Sequence, residues 1–159
     1  MLASLCAVYI LLIPVARSQS VEVTAKPLTD TDIQILRSNV QSDKNQIIAH
    51  TMQFTDAESG AFWPIYRSYA HDQQTLGDKR VQLIKDYAKN FDSMNDEKAN
   101  DMVQRLIKID DQTLSLRESY WPKFMKALGA KRAAKFYQVD NRLSMMVNIQ
   151  LASEIPLIP

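Results

Sequence analysis

Histidine and methionine are two of the side-chain types in this sequence that can bind a metal ion. His50 lies two residues before Met52, and His71 lies next to Asp72, so each pair offers two candidate ligands. A protein metal site usually needs three or four ligands that converge. The chain contains no HxxxH, HxxE or CxxC spacing that would supply them. We therefore predict no metal site and no cofactor, with both histidines solvated or capping.

Paired acidic residues are a second pattern with possible chemistry, because two carboxylates can divide the acid and base roles of catalysis. Asp96-Glu97 and Asp110-Asp111 are such pairs. Adjacent residues of a helix point about 100° apart, so neither pair converges on one substrate. The sequence also lacks a nucleophile elbow and a glycine-rich phosphate loop. It therefore predicts a protein that is not an enzyme.

Basic residues cluster near the C-terminus. Between Lys123 and Arg142 six residues are basic, and only Asp140 is acidic. These cations can complement the helix dipole before Gly129 and form a solvated face. Alternatively they form a patch that attracts acidic partners, unfolded proteins or an anionic membrane. The candidate partner surface combines basic residues of this run with two tryptophans: Trp63, Trp121, Lys123, Lys126, Lys131, Arg132 and Lys135.

The two tryptophans belong to an internal repeat, FWPIY at 62–66 and YWPKF at 120–124. In an antiparallel hairpin that turns near residue 94, Trp63 and Trp121 are predicted to come close together. One interpretation is an aromatic cluster between two helices that Pro64 and Pro122 kink. The other is an apolar surface, exposed by the kinks, that binds peptides or partner proteins.

Four helices are predicted from apolar residues that recur at helical spacing. The second begins at the capping box of Thr55 and Glu58, the third begins at the N-cap Asn95, and Gly129 ends the third. The predicted buried residues are, helix by helix, Ile33, Leu36, Val40, Ile47 and Thr51; Phe62, Tyr66, Tyr69, Leu76, Leu83, Tyr87 and Phe91; Ala99, Met102, Leu106, Ile109, Leu116, Tyr120, Phe124 and Leu128; Ala133, Phe136, Val139, Leu143, Met146 and Leu151. The predicted fold class is all-α, with a long, kinked, antiparallel central hairpin on which the first and last helices pack.

The N-terminal residues 1–18 are predicted to be a signal peptide. Residues 2–16 are almost wholly apolar, yet the run is shorter than the ~20 residues that cross a bilayer. Small residues place the cleavage near residue 18 or 20. An uncleaved membrane anchor is the alternative. Residues 19–28 are predicted to be a flexible lead-in, and residues 29–159 a single helical domain.

Cysteine content and charge point to a compartment and exclude one class of partner. Cys6, inside the apolar segment, is the only cysteine, so the mature chain can form no disulfide. An exported helical chain without cysteine suits the bacterial periplasm. Removal of residues 1–18 takes Arg17 from the 19 basic residues and leaves 18 against 18 acidic ones. This balance argues against nucleic-acid binding, which depends on many phosphate contacts.

The starts of the two long helices resemble the LTxxQ motif of the Spy/CpxP-like periplasmic proteins. The corresponding stretches are Phe54 to Glu58 and Met94 to Lys98, in which Phe or Met replaces Leu, Asn95 replaces one Thr, and Glu or Lys replaces Gln. The likeness covers about residues 28–151. It implies a kinked helical hairpin, often dimerised into a curved cradle, that binds unfolded or envelope-stress proteins without ATP.

The expected function is therefore that of an exported, non-enzymatic binding protein, chaperone-like or an adaptor in envelope stress. Unfolded or envelope proteins are the expected partners, with no nucleic acid and no stable membrane insertion after signal removal. A homodimer is predicted, because the long helices carry more apolar side chains than one hairpin covers. The alternatives are a metal-responsive periplasmic sensor or scavenger, and a membrane-anchored structural protein.

Overall fold

The computed structural model describes residues 42–153 and 155–158. Within these residues lie four helices and no strand: α1 (42–52), α2 (Asp56–Asn90), α3 (Asp96–Leu128) and α4 (Ala130–Ser153), with a 3₁₀ turn at Phe91–Ser93 between α2 and α3. The predicted all-α class is confirmed. The predicted signal peptide, the lead-in and the predicted start of the first helix lie outside the described residues.

The two long helices begin at the residues that the sequence predicts. The Thr55 hydroxyl accepts a hydrogen bond from the Glu58 amide (3.3 Å), and the Glu58 carboxylate accepts one from the Thr55 amide (2.9 Å). Asn95 Oδ1 accepts a hydrogen bond from the Lys98 amide at 2.9 Å. These bonds satisfy amide donors that the first turn of a helix leaves without partners.

Gly129 separates α3 from α4 by a single residue. Its φ of 74° lies in a region that side chains with a Cβ rarely adopt. Its amide donates to the Met125 carbonyl (2.8 Å), and its own carbonyl accepts from the Ala133 amide (3.0 Å). One glycine therefore ends α3 and begins α4, which reverses the chain within a very short connection.

The central hairpin is antiparallel, as predicted. Its cross-links are Asp72–Tyr120, Arg80–Asp110, Lys79–Gln112 and Asp86–Arg105, and the residue numbers of each pair add to between 190 and 192. This constant sum fixes the register along most of both helices. Each helix continues through its internal proline, Pro64 in α2 and Pro122 in α3. A bend at either proline stays a prediction.

The register separates the two tryptophans. Position 70 of α2 lies opposite Trp121, which places Trp63 about two helical turns, or ~10 Å, further along. Trp63 contacts the rings of Phe54 and Phe62, whereas Trp121 contacts the ring of Tyr137. The prediction that Trp63 and Trp121 come together is therefore wrong. A turn at residue 94 would place position 67 opposite Trp121, four residues from Trp63, whereas the observed register places position 70 there, seven residues away.

Both outer helices pack on one end of the hairpin. In α1, Lys44 pairs with Asp140 and the Thr51 carbonyl with Lys135, so α1 runs antiparallel to α4. In α4, Asp140 pairs with Tyr69 of α2, and after the helix the Pro156 carbonyl accepts from Tyr87, so α4 runs parallel to α2. Successive helices thus alternate in direction, as in an up-down bundle.

The aromatic core lies where all four helices meet. It consists of Phe62, Tyr66 and Tyr69 from α2, Tyr120 and Phe124 from α3, and Phe136 from α4, covered by Ile48 and Met52 from α1. Phe136 contacts the rings of Phe62, Tyr69 and Phe124 from two other helices. Aromatic pairs of this kind add about 0.5–1.5 kcal/mol each beyond the area they bury.

Three residues predicted to be buried are exposed: Ile47, Leu106 and Met146, of which Leu106 is 36% exposed. Ile47 is 42% exposed, and its neighbour Ile48 is fully buried, since adjacent helical residues face about 100° apart. Met146 is 66% exposed. The buried face of α4 instead carries the carboxylate of Asp140, at 2% exposure, in line with Ala133 and Phe136. A purely apolar criterion assigns such a position to the surface.

Candidate functional site

A buried acid organises the end of the molecule that contains the aromatic core. One oxygen of Asp140 lies 2.9 Å from Lys44 Nζ, and the other accepts a hydrogen bond from the Tyr69 hydroxyl at 2.8 Å. Gln73 donates to the Tyr69 oxygen (2.8 Å) and accepts from Lys44 (3.2 Å). We call Lys44, Tyr69, Gln73 and Asp140 the polar network. Its bonds connect three helices and supply the partners that a buried charge requires.

The polar network holds its tyrosine in the neutral form. Burial, and then the negative charge and hydrogen bond of Asp140, raise the pKa of Tyr69 far above its usual value, although Arg117 opposes part of this effect. Tyr69 therefore acts as a hydrogen-bond donor to Asp140, and both oxygens of the acid have partners. With 2% of Asp140 exposed, no substrate reaches this carboxylate in the packed protein.

Two cations of α4 hold the C-terminal end of α1. Arg132 donates to the Met52 carbonyl at 2.8 Å, and Lys135 donates to the Thr51 carbonyl at 2.7 Å. Cations at a helix C-terminus also interact favourably with the helix dipole. The Arg132 guanidinium lies 2.6 Å from Glu58 as well. The bond from the Thr55 amide, then that from its hydroxyl and the charge of Arg132, lower the pKa of Glu58.

The candidate partner surface predicted from the sequence is divided among separate places. Arg132 and Lys135 are engaged by α1, and Lys123 lies 4.0 Å above the ring of Tyr120 in a cation–π contact. Lys126 and Lys131 are exposed. The two tryptophans are half-buried in different ring contacts, as described above. The structure thus assigns three of the five predicted cations to contacts within the fold.

Exposed aliphatic residues form a stripe on α3 that the sequence prediction did not identify. Val103, Ile107 and Leu114 are 50%, 54% and 53% exposed. Their spacing of four and seven residues places them on one face of the helix, beside the buried face that carries Ile109 and Tyr120. We call these three residues the exposed stripe. The signal was present as a second set of aliphatic residues at helical spacing next to the core set.

The second half of α4 also exposes large apolar side chains. Met145, Met146 and Ile149 are 49%, 66% and 70% exposed, and Leu157 in the following segment is 90% exposed. Methionine is flexible and polarisable, so it suits surfaces that contact varied partners. Large apolar side chains are thus accessible on two elements outside the aromatic core.

A shallow groove between α2 and α3 lies between the aromatic core and the turn of the hairpin. It has a volume of about 390 Å³ and is lined by Asp72, Thr75, Leu76, Gln112, Ser115, Leu116 and Ser119. Asp72 accepts a hydrogen bond from Tyr120 at 2.7 Å. Burial, and then this bond to Asp72, raise the pKa of Tyr120 to about 12. The groove is open and mixes polar hydroxyls with two leucines, which gives it little chemical selectivity.

The described residues were searched for groups of metal ligands and for helices that could span a membrane. Residues 42–153 and 155–158 contain no group of three or more His, Cys, Asp or Glu side chains placed to hold a metal ion. His50 and His71 are both exposed. In the same part of the chain, no helix is both long enough and apolar enough to cross a bilayer.

Comparison with known proteins returned no relative. The chain matches no protein-family model, and neither a curated protein nor a solved structure is significantly similar to it. The residues and contacts described above are therefore the basis for any statement of function.

Proposed function

We propose that the protein is an exported, non-enzymatic binding protein of the chaperone-like kind, which holds apolar segments of unfolded or envelope proteins without ATP. The observation that carries the proposal is the exposed stripe of α3. Exposed large apolar side chains that share one face of a helix are candidates for an interaction site on a folded protein. The apolar end of α4 offers a second surface of the same character.

The charged residues around the exposed stripe indicate that partners bind through apolar contacts and not through charge. Lys108, Asp111 and Glu118 are exposed residues of both signs on the same helix. A mixed surface of this kind favours neither acidic nor basic partners, so the apolar side chains decide what binds. Such selection suits unfolded segments, which share apolar character and little else.

The packed end of the molecule supports the proposal in a different way. Phe62, Tyr66 and Phe136 are almost wholly buried, and the polar network joins the helices around them. A binding surface works better on a scaffold that stays folded while it holds its partner. The buried acid of the polar network has its partners within the fold, which favours a structural role for Asp140 over a catalytic one.

An aggregation assay tests the proposal. The mature protein at several-fold molar excess should suppress the light scattering of an unfolding client protein. The triple variant Val103→Ser, Ile107→Ser, Leu114→Ser should lose most of this suppression, because it removes the apolar contacts and leaves the buried face of α3 intact. The matched control is Gln104→Ser, Asp111→Ser, Glu118→Ser, which changes three exposed polar residues of the same helix.

Two outcomes would contradict the proposal. One is wild-type protein that does not suppress aggregation at any excess. The other is equal loss of suppression in the stripe variant and the control, since this would mean that the exposed stripe is not the binding surface. Export is tested separately by mass spectrometry of the secreted protein. Its mass should correspond to a chain that begins near residue 19 or 21.

A further inference from the structure

The surface beneath α1, which α2, α3 and α4 form together, is a receptor groove for one helix. Three residues of α1 spaced four apart, Lys44, Ile48 and Met52, lie on a single helical face. The first forms an ion pair with Asp140, and the other two are fully buried against the aromatic core. A cation followed by two apolar residues at this spacing is therefore the pattern that the groove recognises.

The groove also recognises where its helix ends. Arg132 and Lys135 donate to the carbonyls of Met52 and Thr51, which the last turn of a helix leaves without intrahelical partners. The groove thus has an acid at one end, an aromatic floor, and two bases at the other end. All these receptor groups lie on α2, α3 and α4, so the site is complete without α1.

The connection between α1 and the rest of the chain is short and strained. It consists of three residues, 53–55, and the φ of Gln53 is 46°. This left-handed conformation is unfavourable for a residue with a side chain. No proline or glycine lies between Ser42 and Ser59. The sequence is therefore compatible with a second conformation, in which Gln53 becomes helical and α1 continues directly into α2.

Such a continuous helix would move α1 out of its own groove. In the closed form α1 runs antiparallel to α2, as the bond between Lys44 and Gln73 and the contact of Phe54 with Phe62 require. When residues 53–55 become helical, α1 is directed away from the aromatic core and the groove is left empty. The helix that fits this empty groove in every contact is the α1 of a second copy.

We propose that two copies of the chain exchange their α1 helices to form a domain-swapped dimer. Each copy inserts Lys44, Ile48 and Met52 into the groove of the other, where they meet Asp140 and the aromatic core. The contacts that Lys44, Ile48 and Met52 make in the closed monomer are reproduced in the dimer, so these contacts do not oppose exchange. Release of the left-handed Gln53 favours the open form, and loss of the Thr55 cap opposes it. The proposal does not depend on the exposed stripe or its clients.

Charge reversal in two chains tests the exchange directly. Lys44→Glu places two acids together in its own groove, and Asp140→Lys places two bases together. Neither variant forms the ion pair in the closed monomer, so each should have a lowered Tm. When the two are mixed, exchange in trans pairs Lys44 with Asp140 in one groove and the substituted residues in the other. Native mass spectrometry should detect a one-to-one heterodimer, and the mixture should have a higher Tm than either variant.

The cis control is the double variant, which carries Lys44→Glu and Asp140→Lys in one chain. It restores an ion pair without exchange and should recover Tm on its own. A mixture of the single variants that stays monomeric, while the double variant recovers, would overturn the proposal. A heterodimer that forms without any gain in Tm would also overturn it, since the copies would then associate through another surface.

A second test leaves the groove unchanged and alters only the connection. Gln53→Gly relieves the left-handed strain of the closed form and should raise the dimer dissociation constant by on the order of tenfold, since each dimer contains two such connections. Gln53→Ala keeps the strain and should stay within about twofold of wild type. Sedimentation equilibrium measures all three proteins. Equal dissociation constants for the Gly and Ala variants, or no dimer of the wild type at high concentration, would contradict the exchange.

Discussion

The two ends of the central hairpin are packed in different ways. We call the end with α1, the aromatic core and the polar network the closed end, and the end toward the 3₁₀ turn the open end. At the closed end all four described helices contribute buried side chains. At the open end α2 and α3 bury Leu83 and Ile109 and are joined by the pairs Arg80–Asp110 and Asp86–Arg105. Most of the buried surface thus lies at one end.

One long hairpin thus combines a stable scaffold with an accessible surface. Burial of aromatic rings and a paired acid stabilises the closed end. The open end relies on one exposed and one half-buried ion pair, which contribute less than buried contacts do, and it carries the exposed Val103 and Ile107. The surface that we propose to bind partners is therefore next to the part of the hairpin that contributes least to stability.

The largest expected difference between the two ends is in the free energy of unfolding that is lost when one acidic residue is removed from each. Asp140→Ala removes the buried acid that pairs with the half-buried Lys44 and the buried Tyr69, and should lower the free energy of unfolding by ~3–5 kcal/mol. Asp110→Ala breaks an exposed ion pair with Arg80 and should cost only about 0–1 kcal/mol. Urea denaturation measures both. Comparable losses would mean that the two ends are equally important for stability.

A matched pair of methionines gives the next largest contrast. Met52 is fully buried, and Met52→Ala should lower the free energy of unfolding by ~2–5 kcal/mol, because it leaves a cavity beside the aromatic core. Met146 is 66% exposed, and Met146→Ala should change it by no more than about 0.5 kcal/mol. Urea denaturation measures the free energy of unfolding of both variants. A large loss for Met146→Ala would show that α4 is buried in solution by a contact outside the described fold.

The two helix caps should differ by a smaller amount. Thr55→Ala removes the hydroxyl half of the capping box at the closed end and should cost about 1–2 kcal/mol, because the Glu58 carboxylate then also loses the bond from this hydroxyl, which helps position it for Arg132. Asn95→Ala removes a single cap bond at the open end and should cost about 0.5–1 kcal/mol. Hydrogen exchange of the first-turn amides of α2 and α3 measures the local effect. Faster exchange at the start of α3 in Asn95→Ala than at the start of α2 in Thr55→Ala would contradict this prediction.

High pH should weaken the closed end. The pKa of Tyr120 is raised to about 12 by burial and by Asp72. Because the pKa of Tyr120 is higher in the folded state, the neutral tyrosine contributes to the free energy of unfolding. This contribution is complete below the unfolded-state pKa of about 10 and is lost as the pH rises from there. Unfolding free energy should therefore fall between pH ~10 and ~12, and less steeply in Tyr120→Phe. An unchanged slope in that variant would remove Tyr120 as the cause.

Low pH should weaken the open end, by the smallest amount. The hydrogen bond from Arg105, and then that from Gln82, lower the pKa of Asp86 below its usual value of 3.8. Stability from a lowered pKa is present above the unfolded-state value and is lost as the pH falls through the folded-state value. Hydrogen exchange in the middle of α2 should therefore accelerate under acid conditions, and Asp86→Asn should abolish this pH dependence. Acid-induced opening that begins at α1 would contradict the assignment.

Local sequence signals predicted the helices well. The capping box at Thr55, the N-cap at Asn95 and the turn glycine at Gly129 act through neighbours within four residues, and all three occur where the sequence indicates. The apolar spacing of α2 and α3 likewise predicted the antiparallel hairpin. The physical reason is that caps and helical periodicity are properties of a few consecutive residues.

The candidate site was harder to predict, because its residues depend on contacts between distant parts of the chain. The sequence grouped Arg132 and Lys135 with a basic partner patch, yet they hold the end of α1, about 80 residues earlier. The exposed stripe was not identified, because periodicity alone does not tell which of two apolar faces a neighbouring helix covers.

The α2 and α3 helices, their N-caps and their pairing as a hairpin follow from the sequence alone, since they depend on residue spacing and local hydrogen bonds. The burial of Asp140, its pairing with Lys44 and Tyr69, and the exposure of Val103, Ile107 and Leu114 depend on the tertiary structure. A carboxylate can be buried only where a cation and donors from other helices converge on it. That convergence depends on the register between helices, which no local pattern of residues specifies.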